Sequence, residues 1–179
     1  MAKASEDMVL DDIFDEDEDT QKDMYLTFQI QEEVYGIEIR YVTEIIGLQK
    51  ITAVPDMPDF IKGMINLRGK VIPVMDVRTR FSLPFREYDN RSCIIVVNMS
   101  DNSAGLIVDR VREVVNIPES EIEPAPRMQK QRKSMYVQGM GKVGDEVKIL
   151  LDVNKLLEEE ELELVGSIAE EPNKDKTGK

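Results

Sequence analysis

Gly36-Ile37-Glu38-Ile39-Arg40-Tyr41-Val42-Thr43-Glu44-Ile45 lines up without a gap on Gly105-Leu106-Ile107-Val108-Asp109-Arg110-Val111-Arg112-Glu113-Val114. Pro55 falls on Pro124 at the same offset of 69. Farther along the offset becomes 76, where Gly63-Met64 matches Gly139-Met140, Val71 matches Val147, and Met75-Asp76-Val77 matches Leu151-Asp152-Val153. The difference is a seven-residue insertion around Arg127-Met128-Gln129-Lys130-Gln131-Arg132-Lys133. Two ordered blocks separated by one length change describe two similar units, each ending in a short helical turn after its Asp-Val pair.

Outward from the repeat, the pattern is mostly period two. Leu26, Phe28 and Ile30 alternate with Thr27 and Gln29, and Tyr35, Ile37 and Ile39 continue after a turn at Gln31-Glu32-Glu33. Further β-rich runs are 70–75, 93–99, 105–108, 111–115 and 147–151, separated by turn chemistry at 55–59, Arg68-Gly69, 100–103 and 143–145. The spacing predicts a mainly β chain with about five strands per unit. Closing each unit into a barrel hides its edges. Each barrel is small enough that its own core is marginal, so the two pack together and leave a groove between them. Expected boundaries are a first barrel over about 24–90, a second over about 91–152 and a C-terminal helix over 153–165.

Composition narrows the function. The chain has 179 residues, 41% hydrophobic and 33% charged, with 23 Lys plus Arg against 36 Asp plus Glu for a net charge of -13. Such a surface repels phosphate backbones and anionic lipid, which argues against nucleic-acid partners. Histidine is absent, removing the commonest general base and metal ligand. The single Cys93 cannot form an internal disulfide or a thiolate metal cluster and suits a reducing cytoplasm. No catalytic residue, metal site or cofactor is expected. Residues 1–23, with ten acids against Lys3 and Lys22, read as a disordered acidic tail without the features of a secretory signal, and 169–179 as a frayed polar end. No apolar run approaches the length of a membrane span.

The run Phe60-Ile61-Lys62-Gly63-Met64-Ile65-Asn66-Leu67-Arg68-Gly69-Lys70-Val71-Ile72-Pro73-Val74-Met75-Asp76-Val77-Arg78 resembles the central signature of the CheW family of chemotaxis coupling proteins. Tyr35 to Ile39, Gly105 to Asp109 and Leu150 to Leu157 are similar to that family too, so the likeness covers about residues 24–168. It implies two intertwined five-stranded SH3-like β-barrels and a non-enzymatic scaffold. Members of this family bridge the cytoplasmic tips of methyl-accepting chemoreceptors to the regulatory domain of the histidine kinase CheA. A monomer, not inserted in the membrane but recruited to receptor arrays, is the expected state. An adaptor for a non-chemotactic kinase is the alternative.

The resemblance also implies sites. Glu44 and Arg68 match a receptor-contact pair, although an exposed ion pair without a binding role is the competing reading. Cys93, Val111 and Val114 match positions lining the receptor groove, each open to the alternative of ordinary core. Leu26, Ile39, Val42 and Gly63 match positions near the kinase interface. Alternation alone would instead turn Leu26 and Ile39 inward, and Gly63 would serve a close backbone approach or a positive φ. Glu113 is the repeat mate of Glu44, but its half lacks the Asn-Leu-Arg-Gly turn. Three other features read as ordinary surface: the basic stretch Arg127 to Lys133, the Gly-rich run 139–144 without a Gly-Lys-Ser/Thr ending, and Glu158 to Glu161.

Overall fold

A computed structural model describes residues 21–99, 102–124 and 136–156. The acidic residues 1–20, the basic insertion, the helix expected beyond residue 156 and the end at 169–179 lie outside the described residues. Eleven strands dominate: β1 (Met24–Ile30), β2 (Glu33–Glu38), β3 (Val42–Gly47), β4 (Ile61–Leu67), β5 (Lys70–Asp76), β6 (Cys93–Met99), β7 (Asn102–Val108), β8 (Arg110–Asn116), β9 (Ile122–Pro124), β10 (Val137–Val143) and β11 (Glu146–Leu151). One-turn helices α1 (Val77–Arg80) and α2 (Val153–Leu156) follow β5 and β11. The fold is mainly β, with two sheets and little helix.

The strands form a six-stranded sheet, β8-β1-β2-β11-β10-β9, and a five-stranded sheet, β3-β6-β7-β5-β4. The first hairpin of each half therefore sits in the sheet built by the other half. β2 pairs parallel with β11 through Leu150↔Gly36, and β5 pairs parallel with β7 through Val74↔Gly105, which are the same pairing under the repeat. The expected division at residue 90 does not coincide with sheet membership: each half contributes to both sheets. The 3-10 turn Ile39–Tyr41 carries the chain from one sheet to the other, and Asp109 makes the matching passage. The additional sixth strand is β9, whose counterpart is the single bridge Thr52↔Met64.

Burial follows from this exchange. In β6, Ile94 and Val96 face a core inside the five-stranded sheet, whereas Ile95 and Val97 join Leu26, Phe28, Ile37 and Leu106 in a larger shared core. Strands buried on both faces read as continuous apolar runs, as 93–99 does. The six-stranded sheet encloses a smaller core of Tyr25, Ile117 and Leu150. The helical turns repeat as well: Asp76 N–H donates to the Phe60 carbonyl at 2.7 Å, and Asp152 N–H to that of Tyr136 at 2.8 Å. Asp76 then caps α1 through Thr79 N–H.

Two buried arginines tie the halves. The Arg80 guanidinium lies 4.2 Å from the Phe60 ring centre and 4.7 Å from that of Tyr136, and its Nε donates to the Leu156 carbonyl at 2.7 Å. Arg78 forks onto Asp109 with bonds of 2.8 and 2.6 Å, and the Gln31 N–H adds a third donor at 2.9 Å. Burial pushes the Asp109 carboxyl up, but these donors together hold it below the usual carboxylate range.

Two outcomes are expected. A carboxyl depressed in the folded state contributes stability that is complete above its unfolded value of about 3.9 and is lost as pH falls through the lower folded value. Melting temperature followed from neutral pH into that acid range should thus fall more steeply for the native chain than for Asp109→Asn, which begins lower. For the glycines, a Cβ on Gly63 would stand 2.1 Å from the Thr52 carbonyl oxygen at a φ of +148°, whereas on Gly139 the nearest backbone oxygen is 2.9 Å away. Gly63→Ala should cost about 2–4 kcal/mol in denaturant unfolding and Gly139→Ala less; equal costs would contradict the geometry.

Candidate functional site

Leu67 and Lys70 close the β4–β5 hairpin around a two-residue loop, Arg68-Gly69. Both loop residues are left-handed, with φ of +53° and +85°, and Gly69 N–H donates to the Asn66 side-chain oxygen at 2.8 Å. In the sister hairpin the residue at the place of Arg68 is Gly144, with φ +61°. The first half thus keeps a long charged side chain where the second uses the residue that tolerates this backbone at no steric cost.

From that turn Arg68 reaches across to Glu44 on β3. Its two terminal nitrogens donate to the two carboxylate oxygens at 3.0 and 2.8 Å. β3 and β4 are the two edges of the five-stranded sheet, so the ion pair spans the seam between them. The arginine side chain is 77% exposed and the glutamate 23%. The pair is therefore formed, and it offers a partner the outer faces of a guanidinium held in a fixed direction.

The structure brings Cys93 to the backbone N–H of Val111, with Val114 farther along the same strand. All three are half-buried against the shared core. Val111 and Val114 lie on β8, the edge of the six-stranded sheet and the repeat mate of β3. Burial pushes the Cys93 thiol up, opposed by the Val111 N–H, so the thiol stays neutral and acts as a small apolar group. Among the described residues Glu113 has no arginine partner of this kind; its backbone N–H and carbonyl instead engage the Thr27 hydroxyl at 3.1 and 2.7 Å, across a bulge in the β1–β8 pairing.

The residues expected near a kinase are placed otherwise. Leu26, Ile39 and Val42 are 1%, 0% and 3% exposed and belong to the shared core. Their alternation turns them inward, so they present no side-chain surface to a partner. Gly63 is buried under the Thr52 carbonyl, the close approach that the glycine permits. The exposed large apolar side chains among the described residues are Val71, Phe85 and Val147. Val71 and Val147 are repeat mates, a signal that the alignment held. Arg78 and Arg80 escaped notice because a buried arginine has no local pattern: its partners Asp109, Phe60, Tyr136 and Leu156 are distant in sequence.

Comparisons with known proteins agree with this mainly β, two-sheet fold. A family model described as the CheW-like domain matches residues 24–161. The chain belongs to that family. A chemotaxis protein CheW of Klebsiella aerogenes is 38% identical over 145 residues, covering 81% of this chain and 87% of the relative. One from Bacillus subtilis is 34% identical over 135 residues, covering 75% and 86%. Among solved structures, a CheW scaffolding protein from Thermoanaerobacter tengcongensis aligns with a TM-score of 0.72 at 39% identity, covering 78% of this chain and 94% of that one.

Among the described residues, the openings of this CheW-like chain include two to compare with the site. The larger, about 630 Å³, lies around Tyr25, Glu38, Arg40 and Gln138 and touches none of the candidate site residues. The smaller, about 310 Å³, is lined by Gln29, Gln31, Arg86, Asp89, Arg91 and Arg110 among others. A variant isolates the part played by the turn: Arg68→Gly relieves the backbone strain but loses the ion pair, two effects of about 1 kcal/mol each and opposite sign. Its unfolding midpoint should therefore stay within about 1 kcal/mol of the native chain, and a larger loss would make Arg68 a structural residue.

Proposed function

We propose that this chain is a chemotaxis coupling adaptor that bridges a receptor tip to a CheA-type histidine kinase and performs no chemistry of its own. The class is supported by its membership in the CheW-like family and by relatives that are chemotaxis and scaffolding proteins. An adaptor for an unrelated pathway has no comparable support. No helix among the described residues is long and apolar enough to cross a membrane, so on this reading the link to the membrane runs through the receptor.

One observation carries the assignment of the receptor side. The two hairpin tips differ at both loop residues, Arg68-Gly69 against Gly144-Asp145, and only the first carries an arginine, which is exposed and aimed by Glu44. A guanidinium fixed on one face by Glu44 can accept a second carboxylate from a helical partner on the other. The half-buried strip of Cys93, Val111 and Val114 supplies the apolar part of that surface. On the kinase side, Val71 and Val147 replace the buried set as contact candidates. They lie at matching places in the two sheets, suited to a partner of the same pseudo-symmetric fold. Coupling then requires only that the contacts differ between two states of the kinase.

Calorimetric titration tests both sides. Arg68→Glu should weaken binding of a receptor tip by roughly 10- to 100-fold, the scale of a lost charge-assisted hydrogen bond, while leaving one-to-one binding to the kinase regulatory domain intact. Unchanged receptor affinity in the folded variant removes Arg68 from the site. Absence of kinase binding by the native chain removes the proposed partner.

A further inference from the structure

The acidic run at the start of the sequence has no part in the function proposed above, and the 310 Å³ opening has none either. That opening sits where the β1–β2 turn, the segment 86–91 and the β7–β8 passage meet. Its two carboxylates are already engaged. Asp109 holds buried Arg78 and the Gln31 N–H. Asp89 accepts from the backbone N–H groups of Arg91 and Ser92 at 2.8 and 3.1 Å and from Arg86 at 3.1 Å. Arg91 and Arg110 are exposed, and neither side chain makes a hydrogen bond or ion pair with any described residue. In a chain of net charge -13 two such arginines on one rim stand out.

We infer that this arginine rim is the docking site of the chain's own acidic segment, and that the carboxylates it takes are those of Glu6, Asp7, Asp11 and Asp12. Charge complementarity supplies the attraction: residues 1–20 hold nine acids against one lysine. Chain length selects the acids. The segment leaves at Gln21, beside the start of β1, and the rim lies at the far end of that strand, beside Gln29 and Gln31. The seven residues of β1 span about 23 Å, and a chain reaches at most about 3.3–3.6 Å per residue. Asp15 to Asp19 are too close to Gln21 to cover that span, whereas Asp12 and everything before it can. Tethering keeps these acids at a high effective concentration over the rim. Arg110 adjoins Val111 and Arg91 lies two residues from Cys93, so a docked segment covers the end of the apolar strip. That consequence, a tethered competitor for the receptor, rests on the receptor reading; the docking does not.

The test uses the full chain without any partner. A nitroxide on Met8→Cys, in a Cys93→Ser background, keeps every acidic residue. At low salt it should broaden the amides of Gln31, Arg91 and Arg110 to less than about half their intensity with the reduced label. About 1 M salt, where screening acts over about 3 Å, should restore them. Arg91→Glu with Arg110→Glu should abolish the effect. Broadening that survives this double change, that centres on residues 127–133, or that is absent overturns the inference. A label-free measurement guards against a disturbed fold: the Nε–H resonances of Arg91 and Arg110 should shift when Glu6, Asp7, Asp11 and Asp12 become amides in the otherwise native chain. Unmoved resonances overturn it equally.

Discussion

Everything in this fold depends on the two parallel pairings, β2 with β11 and β5 with β7, that place each half's first hairpin in the other half's sheet. A hairpin alone buries one face at most and is marginal in water. Here β1–β2 and β6–β7 each have a face in a sheet's own core and a face in the core shared by both sheets. Neither half can then complete its interior without the other. The seam is reinforced where repeat mates meet, with Arg80 between Phe60 and Tyr136. An adaptor that must transmit a contact at one end to a contact at the other is well served by halves that cannot move apart independently.

Much of this was legible in the sequence, and the reason it stopped where it did is physical. The alignment at offsets of 69 and 76 assigned strand to strand, because residues at equivalent places need the same backbone: Gly36 and Gly105 both sit at a parallel pairing, and Gly63 and Gly139 both lie under a facing backbone segment. The exchange itself was invisible to periodicity. A strand presents the same alternation whichever half supplies its neighbour, so a boundary near residue 90 and the actual interleaving fit the pattern equally. The site divided in the same way. Glu44 and Arg68 are polar residues in turn and edge positions, where side chains point outward and meet. Leu26 lies in a strand buried on both faces, and Ile39 and Val42 flank the turn between the sheets, where their apolar side chains go into the shared core.

The repeat also shows where the two halves have ceased to be equivalent. Inside the five-stranded sheet lie Ile65, Ile72, Val74, Ile94, Val96 and Ile107. Their mates in the six-stranded sheet are Gly141, Lys148, Leu150, Tyr25, Thr27 and Glu38. Each polar replacement has found a partner: Thr27 bridges the Glu113 backbone, Lys148 reaches Glu146, and Glu38 accepts from Arg40 at 2.6 Å and Gln138 at 3.2 Å. Polar groups so satisfied cost little, but they do not fill space as isoleucine does. Accordingly the core of this sheet is small, and the larger surface opening lies beside Tyr25 and Glu38. The two barrels share a backbone plan while one is packed for rigidity and the other is loosened at its rim.

The same comparison gives the strongest reason to assign Arg68 a task outside the isolated chain. A non-glycine residue in the left-handed region costs about 1–2 kcal/mol, and the sister hairpin avoids that cost with Gly144. The return within the chain is one ion pair whose arginine is largely exposed, worth about 0–1 kcal/mol. Stability alone would therefore favour glycine at both tips, or at best be indifferent. On the receptor reading proposed above, an arginine held at a strained position, exposed, and aimed by a glutamate from the opposite edge of its sheet has its use in what it meets when a partner arrives. A persistent local cost with no compensating gain in the folded chain points to function.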